Sequence, residues 1–277
     1  MELFKPFSLG TNLCKGYSLD KALDLVKKSG FEYAELSSII NMCEHIEPCK
    51  INPEFAIEVK DLLDSKNLKC HAISGHVDIT IDEQFKDFLK KIEFAGRIGA
   101  KIINTNSGPV ERIDCFYKNM KQIINMAEKW NVIIGLESHG DIVNTAKDSM
   151  NVFKRFNHPL VRLNYDTGNT LFYCNGNIKI EEDIKYGLEY LEHVHLKDIK
   201  IDGSKVQYCP IGDGDVNFPA VFEVLKQLGH EIPCGLEIPV HVKGVFGAIT
   251  PVGTPLPENE IIYAAKRSTE YIEELLR

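Results

Sequence analysis

The chain alternates from one end to the other between short apolar runs and segments with apolar residues at helical spacing, and this alternation constrains the fold more than any single motif. "FSLGTN" (7 to 12) reads as a strand, and "SLDKALDLVKKSG" follows with a Ser cap, an apolar stripe and a stopping glycine. The same grammar recurs. "FEYAELS" precedes the helix pattern "PEFAIEVKDLLDSKN", and "LKCHAISG" precedes "DEQFKDFLKKIEFAGRIG". "AKIINTNSG" leads to "CFYKNMKQIINMAEKW", and "NVIIGLES" to a helix of about residues 142 to 156. "PLVRLNYDTGN" precedes a helical stretch in the 180s, "LEHVHLKD" precedes "FPAVFEVLKQLG", and "IPCGLEIP" precedes "ENEIIYAAKRSTEYIEELLR".

Eight such units in 277 residues fit an α/β fold, a single closed (β/α)8 TIM barrel, better than an open doubly wound sheet. No Gly-, Pro- or Ser-rich linker breaks the alternation, so residues 1–277 read as one domain. The longest departures follow strands two, seven and eight: "SIINMCEHIEPCKIN", "KIDGSKVQYCPIGDGDVN" and "VHVKGVFGAITPVGTPLP". All lie where strands end, which suggests a covered pocket or lid, or else inserted surface serving a homodimer or homotetramer contact.

Composition narrows the function classes. A formal net charge of -8 argues against a nucleic-acid binder, which needs clustered Lys and Arg to displace counterions. No apolar run reaches membrane-spanning length, and "MELFKPFSLG" lacks a signal-peptide pattern, so a cytoplasmic protein with no membrane partner is expected. The eight cysteines form no CxxC pair and read as reduced, incidental thiols.

In a barrel of this kind, the polar residues to inspect are those at strand C-terminal ends. "GLES" ends with Glu137, "NYDTGN" carries Asp166, "HVHLKD" carries His195 and "GLEIP" carries Glu237. Each occupies the equivalent place in its own unit, with equal spacing from Glu137 to Asp166 and from Asp166 to His195. Along "LEHVHLKD" alternate side chains share a face, so His193, His195 and Lys197 should point one way and Val194, Leu196 and Asp198 the other. Three carboxylates gathered in a low-dielectric mouth repel and raise one another's pKa unless a cation neutralises them. One divalent metal ion is the economical cation. The donor set suits Mn2+, the leading candidate, and equally admits Mg2+, Co2+ or Zn2+.

On "GLESHG", "DTGN", "HVHLKD", "PIGDGDVNF" and "GLE", the sequence resembles the xylose isomerase-like TIM barrel family, which includes sugar and sugar-phosphate isomerases and epimerases. The resemblance runs over nearly the whole chain. It implies Glu137, Asp166, His195 and Glu237 as metal ligands, with His195 rather than His193 as the imidazole and His193 supporting it from a layer deeper. It also implies a small sugar or sugar phosphate as partner, with a carbonyl polarised by the metal and Glu137 and Glu237 as base and acid on the flanking carbon. Proton return to the same carbon gives epimerisation, return to its neighbour isomerisation, and loss of a β-hydroxyl dehydration.

The free-ketose 3-epimerase branch usually reads DTFH where this chain has "DTGN", which puts Asn169 at a substrate histidine. Ile201 and Val143 likewise replace an expected arginine and glutamate. "DTGN", "HLKD" and "PIGDGDVNF" look more like the L-ribulose-5-phosphate 3-epimerase branch, and the last two also resemble inosose dehydratases, so a lyase acting on a keto-sugar or keto-inositol is the alternative. His139, Asn169, Lys197, His71 and His76 are the candidate substrate-binding residues. Abasic-site endonucleases share the barrel but need further histidines, and Asn106 stands where one is expected. A non-catalytic sugar-binding protein is the remaining alternative.

Overall fold

The computed structural model describes residues 4–251 and 255–277. Eight strands carry the architecture: β1 (Phe7–Gly10), β2 (Tyr33–Ile39), β3 (Ala72–Asp78), β4 (Ile102–Asn106), β5 (Ile133–Glu137), β6 (Val161–Asp166), β7 (Leu191–Leu196) and β8 (Cys234–Leu236). They pair in parallel in the order β1-β8-β7-β6-β5-β4-β3-β2, and pairing of β1 with β2 closes the ring. Eight helices alternate with them: α1 (Leu19–Lys28), α2 (Pro53–Ser65), α3 (Asp82–Ile98), α4 (Ile113–Trp130), α5 (Ala146–Phe156), α6 (Ile180–Gly187), α7 (Phe218–Leu225) and α8 (Glu258–Leu275). The fold is the (β/α)8 barrel that the alternation implies.

Local chemistry explains the boundaries. Ser18, Asn52, Thr145 and Asn217 each accept a main-chain N–H at the start of α1, α2, α5 and α7. Gly99 and Asn131 turn the chain left-handed after α3 and α4. The Thr145 cap starts α5 at Ala146, later than the expected 142, and leaves the segment after β5 as a loop over the mouth. Asp166 caps an additional short helix, Thr167–Tyr173, so the "TGN" read as strand end is helix start.

The strands alternate by face. Leu9, Ala34, Leu36, Ile73, Ile103, Ile134, Leu136, Leu163, Val194, Leu196 and Leu236 are buried in the apolar layer that joins strands to helices, part of one core cluster. The opposite face fills the barrel with polar groups: Ser8, Glu35, Ser74, Asn104, Asn164 and His193 are all buried. That interior is the foundation of the site.

The excursions after β7 and β8 join each other. Strands Asp198–Asp202, Lys205–Cys209, Val242–Val245 and Ala248–Pro251 form an antiparallel sheet beside the mouth. Residues 252–254 of the last excursion lie outside the described residues. The "GDGD" turn spends its main-chain N–H groups internally, since Gly212, Gly214 and Val216 all donate to the Asp198 carboxylate. All eight cysteines are free thiols, and no helix among the described residues is long and apolar enough to cross a membrane.

Candidate active site

Glu137 closes β5, Asp166 closes β6, His195 is the penultimate residue of β7, and Glu237 follows β8, still donating its N–H to Leu196. One ligand atom from each lies within 4.8 Å of every other. His195 Nδ1 stands 2.7 Å from Glu137 Oε2 and 3.7 Å from both Asp166 Oδ2 and Glu237 Oε2. All four side chains are buried. The equal places in consecutive units thus converge on one point.

Each member is held by neighbours from other strands. Glu137 Oε2 receives the Asn164 amide at 2.7 Å and lies 2.7 Å from His76 Nε2, while Oε1 receives the Asn169 amide at 2.9 Å. Asn12, in the turn after β1, donates to Glu237 Oε1 at 2.7 Å. Asp166 Oδ1 accepts the Asn169 main-chain N–H at 2.7 Å, the helix cap, which leaves Oδ2 turned to the mouth. The imidazole of His195 is fixed at its far side by Glu35, whose Oε1 lies 2.8 Å from Nε2.

Lys197 reaches the same centre. Its Nζ stands 2.7 Å from Asp166 Oδ2 and still closer to Glu237 Oε2, with Asn169 Oδ1 at 3.1 Å. Although within ion-pair distance, neither Asp166 Oδ2 nor Glu237 Oε2 receives a directed hydrogen bond.

These contacts separate the protonation states. Burial works against ionisation of Glu137, but the imidazoles of His76 and His195 outweigh it and hold the carboxyl well below the usual range. Burial raises the Glu237 carboxyl, and Lys197 and His195 offset that only in part. His195 is pushed down by burial yet held well above an ordinary histidine by Glu35 and Glu137. Lys197, likewise disfavoured by burial, is kept charged by Asp166 and Glu237. The Lys197 ammonium, in contact with Asp166 and Glu237, offsets part of the carboxylate repulsion that the sequence assigns to a metal.

The donor set still fits one. Two atoms each about 2.1 Å from a common ion lie no more than about 4.2 Å apart, and the 3.7 Å separations from His195 Nδ1 satisfy this. Two of the oxygens involved, Asp166 Oδ2 and Glu237 Oε2, are buried and face only the Lys197 ammonium, with no directed hydrogen bond to hold them there. Three carboxylates and one imidazole are a donor set for a hard or borderline divalent ion.

Of the other candidates, His76, Asn169 and Lys197 meet at the centre. His139 stands a layer further out, its Nε2 3.5 Å from the Tyr173 hydroxyl and its ring 6.3 Å from that of His76. His71 is not brought there. The strand read as "LKCHAISG" begins at Ala72, so His71 precedes it at the N-terminal end of the barrel, beside Tyr33, Lys69 and Lys101 in a cleft of about 280 Å3. A larger cleft, about 600 Å3, also opens at that end, among Phe7, Phe31, Tyr33 and Ile272, and holds none of the four converging residues.

Sequence reasoning missed Glu35, Asn12, Asn104 and Asn164. Glu35 and Asn104 sit mid-strand, where only closure of the barrel brings them beneath His195: Asn104 Nδ2 lies 3.3 Å from its Nε2 and 3.2 Å from His193 Nδ1. His193 does occupy the deeper layer, its Nδ1 2.9 Å from Asn164 Oδ1. Asn12 lies two residues beyond the end of β1, in the Thr11–Cys14 turn, and carries no charge or spacing signal that would single it out.

A closed barrel with carboxylates and an imidazole converging at its C-terminal mouth defines a class, and the chain belongs within it to the xylose isomerase-like TIM barrel family, whose model matches residues 23–267. Among curated proteins, the chain is similar to L-ribulose-5-phosphate 3-epimerase UlaE of Escherichia coli SMS-3-5, 25% identical over 232 residues, covering 77% of this chain and 78% of that protein. UlaE of another Escherichia coli strain is 27% identical over 170 residues, a stretch that spans only 57% of that enzyme's length and 58% of this chain. A xylose isomerase-like TIM barrel protein from Mycobacterium smegmatis, solved in complex with magnesium, matches with a TM-score of 0.77 at 17% identity over 98% of this chain and 96% of its own. That last likeness concerns the fold.

Proposed function

We infer that the protein is a divalent-metal-dependent epimerase or isomerase of a sugar or sugar phosphate, with Glu137, Asp166, His195 and Glu237 as ligands and Mn2+ or Mg2+ as the leading ions. The observation that supports this reading is geometric: Glu137, Asp166, His195 and Glu237, carried by four neighbouring strand ends, each bring a ligand atom within 4.8 Å of the others. Two of the carboxyls, Glu137 and Glu237, can then serve as base and acid.

A bound divalent ion would polarise a chelated carbonyl and acidify the neighbouring C–H. Glu137 Oε2, oriented by His76 and Asn164, takes the proton from that carbon. Glu237, oriented by Asn12, returns one from the other side. Delivery to the same carbon inverts it, and delivery to the neighbouring carbon moves the carbonyl. The sugar-phosphate epimerases among its relatives favour a phosphorylated ketose, and such a substrate implies work in the cytoplasm.

The test is incubation of the Mn2+-loaded protein in D2O with ketoses, ketose phosphates and keto-inositols, followed by NMR. Deuterium appearing beside the carbonyl of one compound supports proton transfer, and the product shows inversion, isomerisation or loss of water. Tight metal binding with no exchange in any compound class would overturn the catalytic reading and leave a binding protein.

A further inference from the structure

Lys197 is built into its place. Its main chain is pinned, N–H to Thr167 Oγ1 at 3.0 Å and carbonyl from the same hydroxyl at 2.7 Å. Its stem runs across Gly168, where a Cβ would stand 2.7 Å from Lys197 Cγ and 3.0 Å from Cβ and Cδ, so the glycine is the channel for it. The head lies over the Tyr208 ring, 5.9 Å from its centroid, and ends between Asp166 Oδ2 and Glu237 Oε2. Those are the two oxygens that lie 3.7 Å from His195 Nδ1 and that lack directed hydrogen bonds. The ammonium and the inferred ion therefore claim the same two atoms.

An ion about 2.1 Å from both oxygens would stand closer than about 5 Å to Nζ. Ammonium and dication at that separation in a buried site repel strongly. The four-carbon stem can move the head without moving the pinned main chain. We propose that Lys197 is a resident cation that fills the centre until the divalent ion arrives, and that metal entry displaces its head from Asp166 Oδ2 and Glu237 Oε2, freeing it as a donor for substrate oxygen. The inference rests on the metal-dependent reading above and adds the order of events: substrate is anchored by Lys197 only once metal is in place. A centre arranged this way stays neutralised and folded without metal.

The experiment is calorimetric titration of the metal-stripped protein with Mn2+ for wild type, Lys197→Met and Lys197→Arg, each checked by circular dichroism for folding. In parallel, acetylation of wild-type Lys197 by a small amine reagent is followed by mass spectrometry with and without saturating Mg2+. Expected are a Kd at least tenfold tighter for Lys197→Met than for wild type, no tightening for Lys197→Arg, and acetylation of Lys197 at least tenfold faster with metal. The labelling arm uses wild type, so the proposal stays testable if Lys197→Met fails to fold without metal. Equal metal affinity in folded wild type and Lys197→Met, or equal protection of Lys197 with and without metal, overturns this proposal alone. Failure of wild type and Lys197→Met alike to bind any divalent ion overturns both this proposal and the metal-dependent function beneath it.

Discussion

Glu35 Oε1 lies 2.8 Å from His195 Nε2, so the imidazole that offers Nδ1 to the mouth is held from behind by a carboxylate on β2. This is the carboxylate–histidine arrangement that fixes the orientation of a metal-ligating ring and raises its basicity. Glu35 is in turn fixed by Ser74 Oγ at 2.8 Å and the Asn104 amide at 3.2 Å. Glu35→Gln should weaken Mn2+ binding about 10- to 100-fold, read by calorimetry. Gly235→Ala should do the same with both partners retained, because its Cβ would fall 2.2 Å from Glu35 Oε2 and 3.1 Å from His195 Cδ2 and push them apart. Unchanged affinity in both variants would remove the support role.

The split between the two glutamates gives a kinetic expectation. At saturating metal, Glu137→Gln removes the base, and both solvent-deuterium exchange and turnover should fall about 10²- to 10⁴-fold. Glu237→Gln removes the acid, so turnover should fall similarly while exchange at the carbon served by Glu137 survives. Exchange and turnover lost in equal measure in both variants would mean that both glutamates serve only the metal.

Gly135 on β5 tests how tightly the polar interior is packed. A Cβ there would meet Asn104 Oδ1 at 2.1 Å and Asn164 Cβ at 3.3 Å. Both asparagines bridge the histidines below the mouth, and neither can retreat without losing those contacts. Gly135→Ala should destabilise by about 1–3 kcal/mol, as overpacking of a full interior does, with a lowered urea midpoint as the readout. A midpoint within error of wild type would show slack in that layer.

The four converging residues were legible because they repeat: each sits at the same place in its unit, and a parallel barrel maps equal places onto one ring. Glu35 was not, since a single glutamate in "YAELS" carries no spacing signal and its partner His195 lies far along the chain. The misplacement of His71 has a local cause. The apolar run "LKCHAISG" starts before the ladder does, because only Lys69 bridges to Tyr33 ahead of Ala72, and a shift of a few residues moves a side chain from one end of a barrel to the other. The sheet made by the two last excursions was unreadable for another reason: its strand Val242–Val245 pairs with Lys205–Cys209, and pairings between distant loops leave no period.

His241 offers a pH expectation separate from catalysis. It is buried just beyond Glu237 in the chain, and neither ring nitrogen has a hydrogen-bond partner. Burial, assisted by the nearby Lys15 charge, pushes its pKa down to about 4, whereas an unfolded histidine titrates near 6.5. Between those values the unfolded chain binds more protons than the folded one, so stability rises with pH through this window and is lost as pH falls from 6.5 toward 4. The full shift corresponds to about 3 kcal/mol, of which about 2 develops between pH 7 and pH 4.5. Carboxylates titrate in the same range, so the informative quantity is the difference between wild type and His241→Leu. Their urea-derived stabilities should diverge in favour of the variant by about 2 kcal/mol on going from pH 7 to pH 4.5. Parallel pH profiles would mean that the ring is protonated as readily in the folded protein as in the unfolded one.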